Sequence, residues 1–470
     1  MARIEAEIGT PKGGILQWID DRFPFTTTMK YHVTEYYASK NFNVWYVFGV
    51  LAMVVLVIQL LTGVFLTMNY KPSADEAFAS VEYIMRDVEW GWLIRYMHST
   101  GASFFFLVVY LHMFRGLMYG SYKNPRELLW VIGMLIYLCM MVEGFFGYLL
   151  PWGQMSYWGA QVIISLFGAL PFGIGEPLTL WIRGDYVVAD ATLNRFFALH
   201  VAAVPLALLA LVGAHVMALH EVGSNNPDGI EIKENKDANG IPRDGIPFHP
   251  YYTVKDIWGV AVCLILFAAV LFFAPTFFGY FIEQPNFVPA NPLKTPEHIA
   301  PVWYFTPYYA ILRAVPDKLT GVILMFASVL VFFILPWLDR NPIKSIRYRG
   351  TLFRLLLGSF VVVFIVLGYL GTQAPTAGGS ELGFRLGEIY FSFFLIMWLY
   401  TKVRTASFNY TVLGIVAVLF LFFDVIRFDS EKSTLMLMSS VLVIGYYVVF
   451  VLGSMYTKLN EPKPVPERVT

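Results

Sequence analysis

The chain has 470 residues, 57% of them hydrophobic and only 14% charged, with a mean hydropathy of +0.60 and a formal net charge of zero. That balance excludes a soluble domain and leaves no basic surface for nucleic acid; it describes a polytopic membrane protein. The two cysteines, Cys139 and Cys263, sit in separate apolar runs, too few for a metal site of their own and poorly placed for a disulfide.

Residues 1–41 are mixed polar and aromatic and read as a membrane-surface segment, with no apolar stretch of the kind a cleaved signal needs. Ten apolar runs follow, at roughly 42–68, 92–119, 128–149, 192–219, 256–281, 318–338, 352–371, 386–402, 409–427 and 434–456. They predict an all-α fold: a four-helix bundle domain over 42–235, a second helical domain over 236–405, two additional spans over 406–457 and a flexible tail at 458–470. The connections at 150–191 and around 283–316 are too long and too rich in proline and aromatics to be plain linkers. Both are expected to fold onto the membrane surface and build a site there. Lys and Arg gather before the first run, around 120–126, in 221–255 and in 339–349, which places the N-terminus on the cytoplasmic side.

The second and fourth runs carry the chemistry. His98 and His112 are fourteen residues apart, roughly 21 Å along a helix and about 40° from one face. His200 and His215 are fifteen apart on the fourth run, with His220 near its end. With the N-terminus inside, these two spans run parallel, so His98 should face His200 near the outer surface and His112 should face His215 near the inner one. Imidazoles in lipid are costly, and four of them in two spaced pairs point to two bis-histidine haems. There is no Cys-x-x-Cys-His, so each haem would be non-covalent and b-type. The plainer alternative is packed or water-bonded histidines.

Gly49 and Gly63 on the first run, and Gly133 and Gly147 on the third, repeat the fourteen-residue period. They would let a flat macrocycle approach the backbone, although small-residue helix packing gives the same pattern. Arg95, Arg115 and Arg195 lie beside the histidines and would suit haem propionates; interfacial snorkelling is the competing account.

At this point the residues resemble a family, cytochrome b of the cytochrome bc complex (respiratory complex III). The resemblance covers about residues 30–402. It rests on the two histidine pairs, GYLLPWGQMSYWGA (147–160), LNRFFALH, HEVGSNNPDG (220–229), HPYYTVKDIWG (249–259) and PVWYFTPYYAILRAVPDKLTG (301–321). The resemblance implies quinol:cytochrome c oxidoreduction by a Q cycle coupled to proton translocation. His98 and His200 would hold an outer low-potential haem, and His112 and His215 an inner high-potential one. Implied partners are a Rieske iron–sulfur protein, a membrane-anchored c-type cytochrome and a second copy of the chain.

The outer quinol pocket would be built from Tyr148, Pro151, Gly159, Pro301, Trp303, Tyr304 and Tyr309. The inner quinone site would use His220, Lys255 and Asp256, with Ser224 nearby. Aromatics suit a flat ring, and a histidine with a carboxylate can relay protons to a quinone carbonyl. An interfacial histidine and a surface ion pair are the bland alternatives at the inner site.

The chain departs from the family pattern in three places. The His200–His215 spacing is fifteen where most respiratory members have fourteen, and Pro205 invites a local bulge. This leaves His220 as a rival for the inner ligand. The usual Pro-Glu-Trp-Tyr reads Pro301-Val302-Trp303-Tyr304, without the proton-accepting carboxylate, and Glu297 in the same loop is the expected substitute. Finally, the last two runs contain no histidine and should serve packing or docking. A proton-coupled transporter, or a di-haem membrane anchor of a dehydrogenase, is the alternative function.

Overall fold

The computed structural model describes residues 14–30, 35–401, 406–427, 434–456 and 461–470. Among these, eight helices are long and apolar enough to cross a bilayer: Val44–Thr67, Gly91–Tyr119, Glu127–Leu149, Asp190–Val222, Phe248–Phe273, Lys318–Leu338, Gly350–Thr372 and Ala377–Leu399. They form helices because nothing in a hydrocarbon layer but the chain itself can satisfy backbone N–H and C=O groups. Ten spans were expected. The last two runs are also helical, Ala406–Arg427 and Thr434–Tyr456, but their described apolar stretches, Tyr410–Leu419 and Ser439–Gly453, are shorter than a full crossing.

Two expected boundaries are corrected. The fifth helix covers Phe248–Phe273 rather than 256–281. The run stays apolar through 281, but Pro275 supplies no N–H and Phe277 and Phe278 adopt left-handed φ of 43° and 57°, so the chain leaves the helix there. The eighth begins at Ala377 rather than 386. Its charged first turns read as loop in sequence; in space Arg385 is buried against Glu381 (2.8 Å) and Glu388 (3.2 Å), which lets the helix carry them.

The first four spans make a bundle, the first packing on the second and the third on the fourth. The fifth lies against the first two. The sixth, seventh and eighth spans gather round a short helix, Thr306–Ala314. One apolar core joins the halves, including Phe106 and Tyr137 from the bundle and Tyr304, Phe360 and Tyr390 from beyond it. The tenth helix is fastened to the eighth by polar contacts, Ser392 Oγ with the Tyr447 hydroxyl (2.5 Å) and Ser439 Oγ donating to Glu381 Oε1 (3.2 Å).

At the His112 end, buried ion pairs tie the loops together. Asp339 accepts from Arg349 at both oxygens (2.5 and 2.9 Å) and sits 3.0 Å from Lys123 Nζ. Burial pushes the Asp339 carboxyl up, but Arg349 and Lys123 outweigh it and hold it below the usual carboxylate range. Arg126 grips Glu231 with two bonds (2.6 and 2.8 Å). A two-stranded antiparallel ribbon, Tyr37–Ser39 with Gly245–Pro247, is a small exception to the all-helical expectation.

Of the tail expected to be flexible, the described residues 461–470 are tied down at this end, a second kind of correction. Arg468 donates to both oxygens of Asp244 (2.7 and 2.9 Å), Thr470 donates to Asp228 (2.9 Å) and Val469 is buried. The proline-rich composition hid two well-placed carboxylate partners that lie more than 220 residues upstream.

Candidate functional site: paired imidazoles in the bundle and a cavity at one end

The second and fourth spans run parallel, and their imidazoles meet in pairs. The ring centres of His98 and His200 are 6.1 Å apart, and those of His112 and His215 are 6.4 Å apart. Two metal–imidazole bonds of about 2.0 Å, plus the reach from ring nitrogen to ring centre on each side, span roughly 6 Å, so both pairs fit one iron each. His215 is the ring that faces His112. His220 instead lies beside Tyr36, ring centres 4.7 Å apart, which removes it as a rival for this pairing.

The fifteen-residue spacing is absorbed by a π-helical segment, Leu199–Ala203, between the helices Asp190–Ala198 and Val204–Val222. One extra residue in a wide turn removes about 100° of excess rotation and gives the fourth span the same histidine twist as the second.

Hydrogen bonds set the ring faces. Thr62 Oγ1 donates to the Ile58 carbonyl (2.6 Å) and so accepts from His98 Nδ1 (2.9 Å). His200 Nδ1 stands 3.1 Å from the Glu143 backbone carbonyl and 3.0 Å from its Oε1. In both rings the proton is held at Nδ1 and Nε2 keeps its lone pair for a metal.

The four glycines stand against the four rings. A Cβ on Gly49 would come 3.5 Å from His112 Cε1, on Gly63 3.3 Å from His98 Cε1, on Gly133 3.2 Å from His215 Cε1, and on Gly147 only 2.5 Å from His200 Cε1. Each glycine thus makes room for one histidine ring. Arg115 Nη2 lies 3.4 Å from His112 Nδ1. Arg95 is one turn before His98 on the same helix. Arg195 is engaged elsewhere, donating to the Trp181 carbonyl (2.5 Å).

At the His98 end the two long connections fold onto one another. Gln154 N donates to the Val288 carbonyl (3.0 Å), and Asn286 Oδ1 accepts from Ser156 N (2.9 Å). Between them is a cavity of about 1080 Å³, lined among others by Met155, Glu283, Glu297, His298, Pro301 and Trp303. Of the residues expected there, Pro301 and Trp303 line it directly. Tyr148 adjoins it by donating to Glu283 Oε2 (2.8 Å), and Gly159 backs Tyr148, where a Cβ would sit 3.5 Å from its ring. Tyr304 is buried behind, stacked on Phe106 at 3.9 Å; Tyr309 donates to the Ile299 carbonyl (3.2 Å). Pro151 ends the turn after the third span, whose Leu150 carbonyl accepts from Tyr70 (2.6 Å).

Glu297, expected to replace the missing carboxylate, is exposed at the cavity wall. The partly buried carboxyl is Glu283. Burial pushes it up to about 7, against the lowering effect of the Tyr148 hydroxyl. It lies in the same proline-rich loop, nineteen residues before Val302, too far along the chain for sequence spacing to suggest it.

At the opposite end, Tyr36 links the expected inner residues. Its hydroxyl is 3.3 Å from Ser224 Oγ, and its ring packs on both His220 and Phe248. Lys255 and Asp256 stand on the third turn of the helix that Phe248 begins, with Lys255 over the Tyr252 ring (5.0 Å). Among the described residues no salt bridge joins Lys255 to Asp256, and the Lys255 cation is turned to the Tyr252 ring.

The bundle, its paired imidazoles and the cavity at one end define the class, a helical membrane protein of electron transport. Family profiles described as Cytochrome b/b6/petB and Cytochrome b(C-terminal)/b6/petD match residues 33–223 and 289–391. Cytochrome b of Allochromatium vinosum is 60% identical over 396 residues, covering 83% of this chain and 95% of that protein. Cytochrome b of Rhodospirillum rubrum is 52% identical over 382 residues, covering 81% and 91%. A solved structure titled hyperthermophilic respiratory complex III superposes with a TM-score of 0.76 at 42% identity, over 82% of this chain and 98% of that one. The chain belongs to the cytochrome b family, and haem binding and electron transport come with that membership. The transporter and dehydrogenase-anchor alternatives are set aside on the same ground.

Proposed function

We propose that this chain is the cytochrome b subunit of a quinol:cytochrome c oxidoreductase that oxidises quinol at one membrane face, reduces quinone at the other and couples the two to proton movement. The observation that carries this reading is the pair of stacked imidazole couples on parallel spans, His98–His200 and His112–His215, each at a separation suited to one iron. Two b haems held there would supply one-electron carriers in series between the two faces.

The chain's own residues supply the rest. The cavity at the His98 end of the bundle takes the quinol ring against Pro301 and Trp303. Quinol must shed two protons as it loses two electrons. Glu283, raised to about 7 and bonded to Tyr148, is a base matched to that task where Val302 cannot serve. Glu297, exposed on the same wall, is suited to pass the proton to solvent. At the other face His220, Asp256, Lys255 and Ser224, gathered by Tyr36, would hold and protonate the quinone. With the N-terminus in the cytoplasm of a bacterial inner membrane, the Glu283 cavity faces outward.

A quinol electron that does not enter the bundle needs an acceptor at the cavity. A Rieske protein with a c-type cytochrome fits that need, with a second copy of the chain completing the assembly; the likeness to a chain of a respiratory complex III supports a multi-subunit complex. The test is a redox titration of the purified protein. Two b-type transitions are expected, and His98→Leu should remove the lower one alone. A single transition in the native protein, or loss of the higher one in the variant, would sink the assignment.

A further inference from the structure

Each imidazole couple has an arginine within one turn on the second span, Arg95 before His98 and Arg115 after His112. They differ in one respect. Glu143 on the third span places Oε1 3.0 Å from His200 Nδ1. Among the described residues no carboxylate approaches the Nδ1 of the other three. The other oxygen of Glu143, Oε2, is buried with no hydrogen-bond partner. An ionisable side chain seventeen residues into an apolar span, with one oxygen on a histidine and the other on nothing, is expensive to keep. The backbone carbonyl of Glu143 is already within reach of the His200 N–H at 3.1 Å, so fixing the tautomer does not require the carboxylate.

We propose that Glu143 is a positioning residue that tunes the outer haem through His200, and that this one carboxylate helps set the order of the two haem potentials. The inference rests on His200 being a ligand. A carboxylate 3.0 Å from Nδ1 polarises the ring by its field and makes Nε2 a stronger donor. Its negative charge also favours the more positive, oxidised iron. Both effects lower the potential of the His98–His200 site relative to the His112–His215 site. The latter has Arg115 3.4 Å from its histidine and no such carboxylate. Electrons entering at the outer site are thereby directed inward.

The experiment is a potentiometric titration of Glu143→Gln in the assembled complex, read optically and by EPR. Glutamine keeps the shape and an acceptor oxygen but removes the charge. The lower midpoint should rise by a shift equivalent to about tenfold in the reduction equilibrium, ~59 mV for one electron, and the low-spin g-value of that haem should move. The upper midpoint should stay put. Glu143→Asp, which keeps the charge, should remain near native. Loss of the outer haem in the glutamine variant with retention in the aspartate variant also supports the proposal. Two haems with unmoved midpoints in Glu143→Gln would overturn it and leave the haem reading intact, as would loss of haem in both variants, which indicates packing alone. A shift of the upper midpoint instead would show that His200 serves the other haem and overturn the underlying pairing.

Discussion

Of the four glycines that face the paired imidazoles, Gly147 is the tightest. A methyl group there would sit 2.5 Å from the His200 ring, and that ring is held from behind by Glu143. At Gly49 the same methyl would meet His112 at 3.5 Å, an ordinary contact. Gly147→Ala should therefore cost most or all of the outer haem, while Gly49→Ala keeps both; haem content and the two b-type bands of purified protein decide. Glu283 carries the second prediction. Its carboxyl, raised to about 7, accepts protons only when ionised, so quinol oxidation should rise with pH through that value. Glu283→Gln should slow outer-haem reduction, with the inner site blocked, by about a hundredfold or more and flatten the pH profile. Glu297→Gln should be far milder. Linkage gives a further sign. A carboxyl raised above its ordinary value stabilises the fold below that ordinary value and loses its contribution as pH rises through about 7, so the glutamine variant should gain relative stability in alkali.

At the scale of elements, the fourth span shows how a local defect keeps a global register. Fifteen residues of regular helix would turn His215 about 60° from His200, on the opposite side from the roughly 40° offset between His98 and His112. The π segment Leu199–Ala203 consumes the extra residue, and Pro205 on its C-terminal side leaves one N–H fewer to satisfy. Deleting Ala202 should convert the segment to regular helix with fourteen-residue spacing and preserve both haems. Inserting an alanine after Leu211 should lose one. Optical haem counts on the two variants test this, and loss of a haem in the deletion would show that the bulge does something other than restore phase.

Across the whole molecule, the face at the His112 end is closed by carboxylates that collect partners from distant parts of the chain. Asp228 takes Asn41, Arg347, Tyr348 and Thr470; Asp244 takes Lys40 and Arg468. The bond from Arg468 comes first among the causes that hold Asp244 at about 2, so this contact is present above the ordinary carboxylate range and lost as pH falls toward 2. Removing residues 461–470 should speed proteolysis or hydrogen exchange of the 226–247 loop about tenfold, equivalent to ~1.4 kcal/mol of local opening, with haem spectra unchanged. Unaltered protection of that loop would mean that the tail merely lies on the surface.

What the sequence determined by itself was whatever rests on periodicity and hydropathy. Apolar runs of crossing length predict helices because lipid offers the backbone no alternative, and histidines on two such runs can only meet in register if the runs are parallel. The glycine period followed for the same reason. Tertiary structure alone decided what depends on loops and on charges that find partners across the chain. Glu283 reaches Tyr148 from 135 residues away, and Arg385 makes a helix of a stretch that reads as loop. Tyr36 joins His220 to the fifth span, and Arg468 finds Asp244 across more than 220 residues. Glu143 drew no notice in the sequence, because its partner His200 lies 57 residues away. A hydrophobic pattern repeats along the chain and can be read locally, whereas a hydrogen bond between distant residues leaves no trace in the spacing of either.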